Sequence, residues 1–181
     1  MNRRTFLTST TAAVAGGFAF SLMGTGKALA LPENPLATAT TFGHDLLPAT
    51  IEKIERSEAE WRKLLGDFEF EVLRKEATER AFTSPLNKEQ REGTFHCAGC
   101  DLPLYRSETK FDSGTGWPSF YEAIKGAVGV KEDRSFFSTR IEVHCIRCEG
   151  HQGHIFEDGP APTGNRHCIN GVALAFKPDV A

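Results

Sequence analysis

Two hydrophobic periods divide the chain. Between Ser57 and Glu76, apolar residues recur at helical spacing, first Trp61, Leu64 and Leu65, then Phe68, Val72 and Leu73. Ser57 is placed to cap the first helix and Gly66 to stop it; a second opens at Asp67 and runs into Glu76. After Thr83-Ser84-Pro85 the helical period disappears, and from Gly93 onward Gly and Pro punctuate short alternating runs. In Phe137–Cys145 the odd positions are mostly apolar and the even positions polar, which predicts a half-buried strand ending in Cys145. The last run, from about Arg166 to Phe176, reads as one strand. Its period of two puts Arg166, Cys168 and Asn170 on one face, followed by Val172, Leu174 and Phe176. The expected fold class is α+β and mainly antiparallel β, with two short leading helices.

A third pattern precedes these. Ala12 to Met23 carries no charge, follows Asn2-Arg3-Arg4-Thr5-Phe6-Leu7 and ends near Ala28-Leu29-Ala30. The run is shorter than the ~20 residues that span a bilayer. The twin arginines and the small-x-small site predict a cleaved export signal over residues 1–30, hence a periplasmic protein with no membrane attachment after cleavage. Residues 31–50, with Pro32, Pro35 and Pro48, read as a tether, and residues 51–181 as one domain. Removing the signal takes Arg3, Arg4 and Lys27 with it, so net charge moves from −3 to −6. No basic stripe remains, which argues against a nucleic-acid partner.

Cysteine spacing carries the chemistry. Cys97-Ala-Gly-Cys100 and Cys145-Ile-Arg-Cys148 have the spacing that places four thiolates around one tetrahedral zinc. Each pair alone could be a thioredoxin-like redox motif, and the two could form disulfides in an exported protein. The 44 residues between the pairs exceed a simple zinc ribbon and predict a clamp joining distant parts of the domain. Four thiolates leave no open coordination position, so this zinc would be structural. A twin-arginine route, which exports folded cargo, suits a site assembled before export.

Cys168 is then the unpaired thiol, with Arg166 nearby to stabilise a thiolate. A buried structural cysteine is the bland reading. An exposed free thiol outside the cytoplasm would be a hazard without work to do. His151 and His154 follow the second Cys pair; with the metal already saturated, they are better suited to proton donation. Trp117, in Gly114-Thr-Gly-Trp117-Pro-Ser-Phe120, is either core or a wall for a soft methyl group.

With these segments assembled, the chain resembles the methionine sulfoxide reductase B family from about Glu60 to Phe176. The resemblance rests on Thr94–Cys100, Lys110–Phe120, His151-x-Gly-His154-Ile-Phe, Asp158-Gly-Pro160 and Asn165–Asn170. It implies two antiparallel sheets with flanking helices, a zinc far from the chemistry, and reduction of the R epimer of methionine sulfoxide. It further implies Cys168 as nucleophile and His151 and His154 as donors. Asn170 would help to hold the oxygen, Arg166 would favour the thiolate, and Trp117 would receive the substrate methyl.

Three positions depart from the common pattern. Thr115 stands where many relatives carry a second, resolving cysteine, so the oxidised Cys168 would need an external thiol, such as a thioredoxin-like partner. His167 and Gly171 replace an aromatic and a serine. The substrates expected are oxidised proteins, and a monomer is expected. Two other readings remain: a zinc-clamped module that binds methionine-rich segments without chemistry, and a thiol peroxidase or disulfide isomerase working through a Cys-x-x-Cys pair.

Overall fold

The computed structural model describes residues 47, 50–134 and 139–180; the signal segment and most of the tether lie outside them. The two leading helices follow from their caps. Helix α1 (Glu58–Leu64) starts at a capping box, in which the Ser57 hydroxyl accepts from Glu60 N–H and the Glu60 carboxylate accepts from Ser57 N–H. Leu65 closes α1, and α2 (Asp67–Lys75) begins two residues later, the N–H of the intervening Gly66 held by Glu69. Trp61, Phe70, Val72 and Leu73 are the residues these helices bury.

Among the described residues, nine strands form two antiparallel sheets. The smaller has the order β2 (Pro103–Arg106), β1 (Gly93–Cys97), β9 (Leu174–Pro178). The larger has the order β3 (Lys110–Phe111), β4 (Ser119–Phe120), β8 (Arg166–Ile169), β7 (His151–Phe156), β6 (Arg140–Cys145), β5 (Val128–Asp133). An aromatic cluster packs the two together. Phe120 of the larger sheet stacks on Tyr105 at 4.3 Å and meets Phe95 edge-on at 5.0 Å. No helix among the described residues is long and apolar enough to cross a membrane.

Two sequence expectations need correction. The final run is not one strand. Strand β8 ends at Ile169, a 3₁₀ turn spans Gly171–Ala173, and β9 joins the other sheet. The turn lets Cys168 stay with the large sheet while Leu174 and Phe176 complete the small one. The strand expected over Phe137–Cys145 begins at Arg140; Phe137 and Ser138 lie outside the described residues. Its alternation breaks at one place, where Glu142 is buried and Ile141 is 38% exposed, while Val143 and Cys145 are buried as the period of two expects. The carboxylate is buried because it has work to do on the sheet face.

Candidate active site

Strand register assembles the site. Ser119, Cys168, His154, Glu142 and Lys131 are successive cross-strand partners on β4, β8, β7, β6 and β5, so their side chains emerge in one row on one face. Arg166 stands two residues along β8 on the same face, as the alternation predicts. Gly153 makes the close approach possible, since a Cβ there would collide with the Cys168 carbonyl oxygen.

Cys168 is half-buried. Burial raises its thiol above the ordinary value, while Arg166 and a hydrogen bond from Thr115 act to lower it. The Thr115 hydroxyl is 4.0 Å from Cys168 Sγ and joins a chain of hydroxyls through Ser113 to Ser119, each link 2.8 Å. Thr115 therefore sets a hydroxyl, not a thiol, beside Cys168. Arg166 is held from its other side by Asp158, through two bonds of 2.8 Å, and its guanidinium lies 4.5 Å over the Phe156 ring.

Each histidine is tied to an acid. His154 Nε2 lies 2.8 Å from Asp133 Oδ2, which also accepts from Arg140 at 2.6 Å. A carboxylate only accepts, so the hydrogen resides on Nε2 and Nδ1 is left as the acceptor. His151 Nδ1 lies 2.9 Å from Glu142 Oε1, and Glu142 Oε2 is paired with Lys131 at 2.8 Å. The two rings meet edge-on at 5.4 Å. Burial pushes His151 down to about 4, and burial also lowers His154, with Asp133 opposing it. Both are neutral near pH 7. His154 is the Cys168 neighbour, whereas His151 is deeply buried behind it.

Trp117 is half-buried, its indole N–H bonded to the Glu79 carbonyl at 2.9 Å. Asn170 is buried: Oδ1 accepts from Glu79 N–H at 2.9 Å and Nδ2 donates one hydrogen to the Gln152 carbonyl at 3.0 Å. The sequence reading missed Glu142, Asp133, Asp158 and Glu79. For Asp158, the Asp-Gly-Pro motif was the available signal. For Glu142 it was a polar residue inside a strand, but nothing local showed that the residue turns inward.

The four remaining cysteines converge at two hairpin ends, between β1 and β2 and between β6 and β7. Their sulfurs all lie within 4.8 Å of one another, with Cys97–Cys148 at 3.6 Å and Cys100–Cys145 at 3.5 Å. A tetrahedral metal with ~2.3 Å arms to sulfur needs sulfur–sulfur edges of about 3.8 Å, so the set fits one metal ion. The knuckles match in backbone too: Asp101 and Glu149 each have positive φ (63° and 58°) and donate to the Cys97 and Cys145 carbonyls. Gln152 links this cluster to the active site. Its amide contacts Cys97 Sγ at 3.6 Å, and its carbonyl accepts from both Asn170 N–H and Asn170 Nδ2.

Residues 65–178 match the SelR domain model. The chain belongs to the methionine sulfoxide reductase B family. A peptide methionine sulfoxide reductase MsrB of Methanosarcina barkeri is 54% identical over 125 residues, covering 68% of this chain and 88% of the relative. Proteins of that name from Pseudomonas putida and Agrobacterium fabrum are 50% and 46% identical, covering 71% of this chain and 97% and 96% of theirs. In family terms, His167 and Gly171 now have local reasons. His167 fills its aromatic slot edge-on to Tyr105, with Nδ1 3.2 Å from the phenol oxygen. A side chain at Gly171 would collide with Ser84 Oγ.

Proposed function

We propose that this chain reduces the R epimer of methionine sulfoxide in oxidised proteins, through Cys168 alone and an external thiol reductant. The observation that carries this reading is the row Cys168–His154, with Thr115, not a thiol, 4.0 Å from the sulfur. The substrate methyl would lie against the Trp117 indole, a sulfur–aromatic site worth ~0.3–1.5 kcal/mol. His154 Nδ1 takes the Cys168 proton as Sγ attacks the sulfoxide sulfur, then delivers it to the sulfoxide oxygen. The substrate's sulfur–oxygen bond breaks as the new sulfur–sulfur bond forms, and the released hydroxide attacks Cys168 Sγ, which breaks the sulfur–sulfur bond and leaves a sulfenic acid. The substrate sulfur gains two electrons and departs as methionine. Arg166 stabilises the thiolate that forms, and Asp133 stabilises the imidazolium. Asn170 fixes the end of β8 through Gln152 and Glu79, and its second Nδ2 hydrogen would help to hold the sulfoxide oxygen. His151 supports the acid–base pair from behind.

One reductant thiol then displaces water from the sulfenic acid to give a mixed disulfide, and a second releases Cys168. A thioredoxin-like dithiol suits that sequence. The four-cysteine cluster would hold zinc through Cys97, Cys100, Cys145 and Cys148, supplying a structural crosslink with no open coordination position. The twin-arginine segment supports periplasmic action, where oxidised protein methionines are the natural target.

A stereospecific assay on purified protein lacking residues 1–30 tests the reading. Turnover of the R epimer with a dithiol, none of the S epimer, and loss of turnover in Cys168→Ser with zinc retained are expected. Near-wild-type turnover in Cys168→Ser would reject the nucleophile, and the binding-module reading would then gain ground.

A further inference from the structure

Glu79 lies in the connection between α2 and β1, yet it touches both ends of the active site. Its backbone N–H donates to Asn170 Oδ1, and its carbonyl accepts from Trp117 Nε1, each at 2.9 Å. Its side chain is 6% exposed. One carboxylate oxygen accepts from Val172 N–H at 2.9 Å, and the other from the Thr83 hydroxyl at 3.2 Å. Val172 belongs to the turn that follows Asn170. The side chain therefore fastens residue 79 to the turn, and the fastened backbone reaches the Trp117 loop and Asn170 together. The same connection grips the loop again through Phe82 N–H, which donates to the Gly116 carbonyl at 2.8 Å.

A buried carboxylate is costly to keep unless its oxygens are bonded, and a lone loop contact would not need one. We propose that Glu79 is a positioning residue for the reductase reaction, one that sets the Trp117 indole and the Asn170 end of β8 in register with Cys168. The proposal rests on the reading of Trp117 as the wall that receives the substrate methyl. Its physical logic is preorganisation: an indole held by a fixed carbonyl does not have to be ordered when substrate arrives. Loss of the carboxylate frees residue 79, so the substrate meets a mobile wall and KM suffers more than kcat.

The test uses Glu79→Ala, Glu79→Asp and Glu79→Gln in the zinc-loaded protein, with steady-state kinetics on an R-sulfoxide peptide and acrylamide quenching of tryptophan fluorescence. Trp61 is 3% exposed, so quenching reports mainly on Trp117. Glu79→Ala is expected to raise KM roughly tenfold, with a smaller fall in kcat, and to increase quenching. Glu79→Asp, which withdraws the carboxylate by one methylene, is expected to move both readouts in the same direction. Glu79→Gln keeps an oxygen for Val172 N–H and is expected to restore both. Wild-type KM and quenching in Glu79→Ala would overturn the proposal; if that variant fails to fold, wild-type values in Glu79→Asp do so. A Trp117→Ala variant with unchanged KM would instead remove the reading of Trp117, leaving the quenching arm to judge whether Glu79 holds the indole.

Discussion

Burial at Cys168 raises its thiol more than Arg166 lowers it, so the resting side chain is protonated near neutrality. In the proposed cycle the proton that leaves Cys168 is the one His154 gives to the oxygen, so the rate for free enzyme is expected to stay level from neutrality upward and to fall once the raised thiol titrates. In Arg166→Met that fall is expected at higher pH, since a thiolate-stabilising charge is gone; an unshifted or lower pH profile would show that Arg166 does not act on the sulfur. His167 makes stability, not rate, sensitive on the acid side. Burial pushes it from an ordinary 6.5 to about 4. Between those values the unfolded chain binds a proton that the folded one refuses, so stability is intact above pH 6.5 and is lost as pH falls toward 4. At most about 3 kcal/mol is at stake. His167→Phe is expected to lose about 1 kcal/mol at pH 7, from the unpaired Tyr105 hydroxyl, but to show a smaller drop in Tm between pH 7 and 5. An equal drop would place the acid sensitivity elsewhere. At this scale the cysteine spacing set Cys168 apart from the four clustered cysteines, and the motifs named His154, which the register places beside it. Asp133 and Glu142 were not legible, because each meets its histidine across strands, 21 and 9 residues away.

Among the elements, both helices could be read because caps and period are local signals. The break after Ile169 could not. Val172, Leu174 and Phe176 continue the period of two that Arg166, Cys168 and Asn170 begin, and nothing in that pattern marks a change of sheet. The break at Ile141 and Glu142 in β6 has a similar cause: alternation assigns apolar residues to the buried side, whereas the row of cross-strand partners buries Glu142 and leaves Ile141 outside. Strand pairing of β7 with β8 is the element on which activity depends most. Gly153→Ala is expected to cost several kcal/mol, as overpacking against backbone does, and to abolish turnover by parting His154 from Cys168. Denaturant unfolding alongside the assay checks this; a stable, active variant would mean the two strands need not approach so closely.

For the molecule as a whole, the cysteine cluster ties the β1–β2 hairpin of one sheet to the β6–β7 hairpin of the other. A metal held there would lend its binding energy to folding. Cys→Ser at 97, 100, 145 or 148 is expected to lower Tm sharply and to lose one zinc per chain by elemental analysis. A metal-free protein of unchanged stability would contradict the clamp. In the proposed cycle one thiol, Cys168, carries the redox chemistry, and the other four cysteines are gathered in the metal cluster. Intact and peptide mass spectrometry after a single turnover without reductant tests it most directly. The predicted result is one added oxygen on Cys168, trappable as a sulfenic acid, with the other four cysteines unmodified. A two-proton mass loss mapping to Cys168 and any of Cys97, Cys100, Cys145 or Cys148 would contradict it.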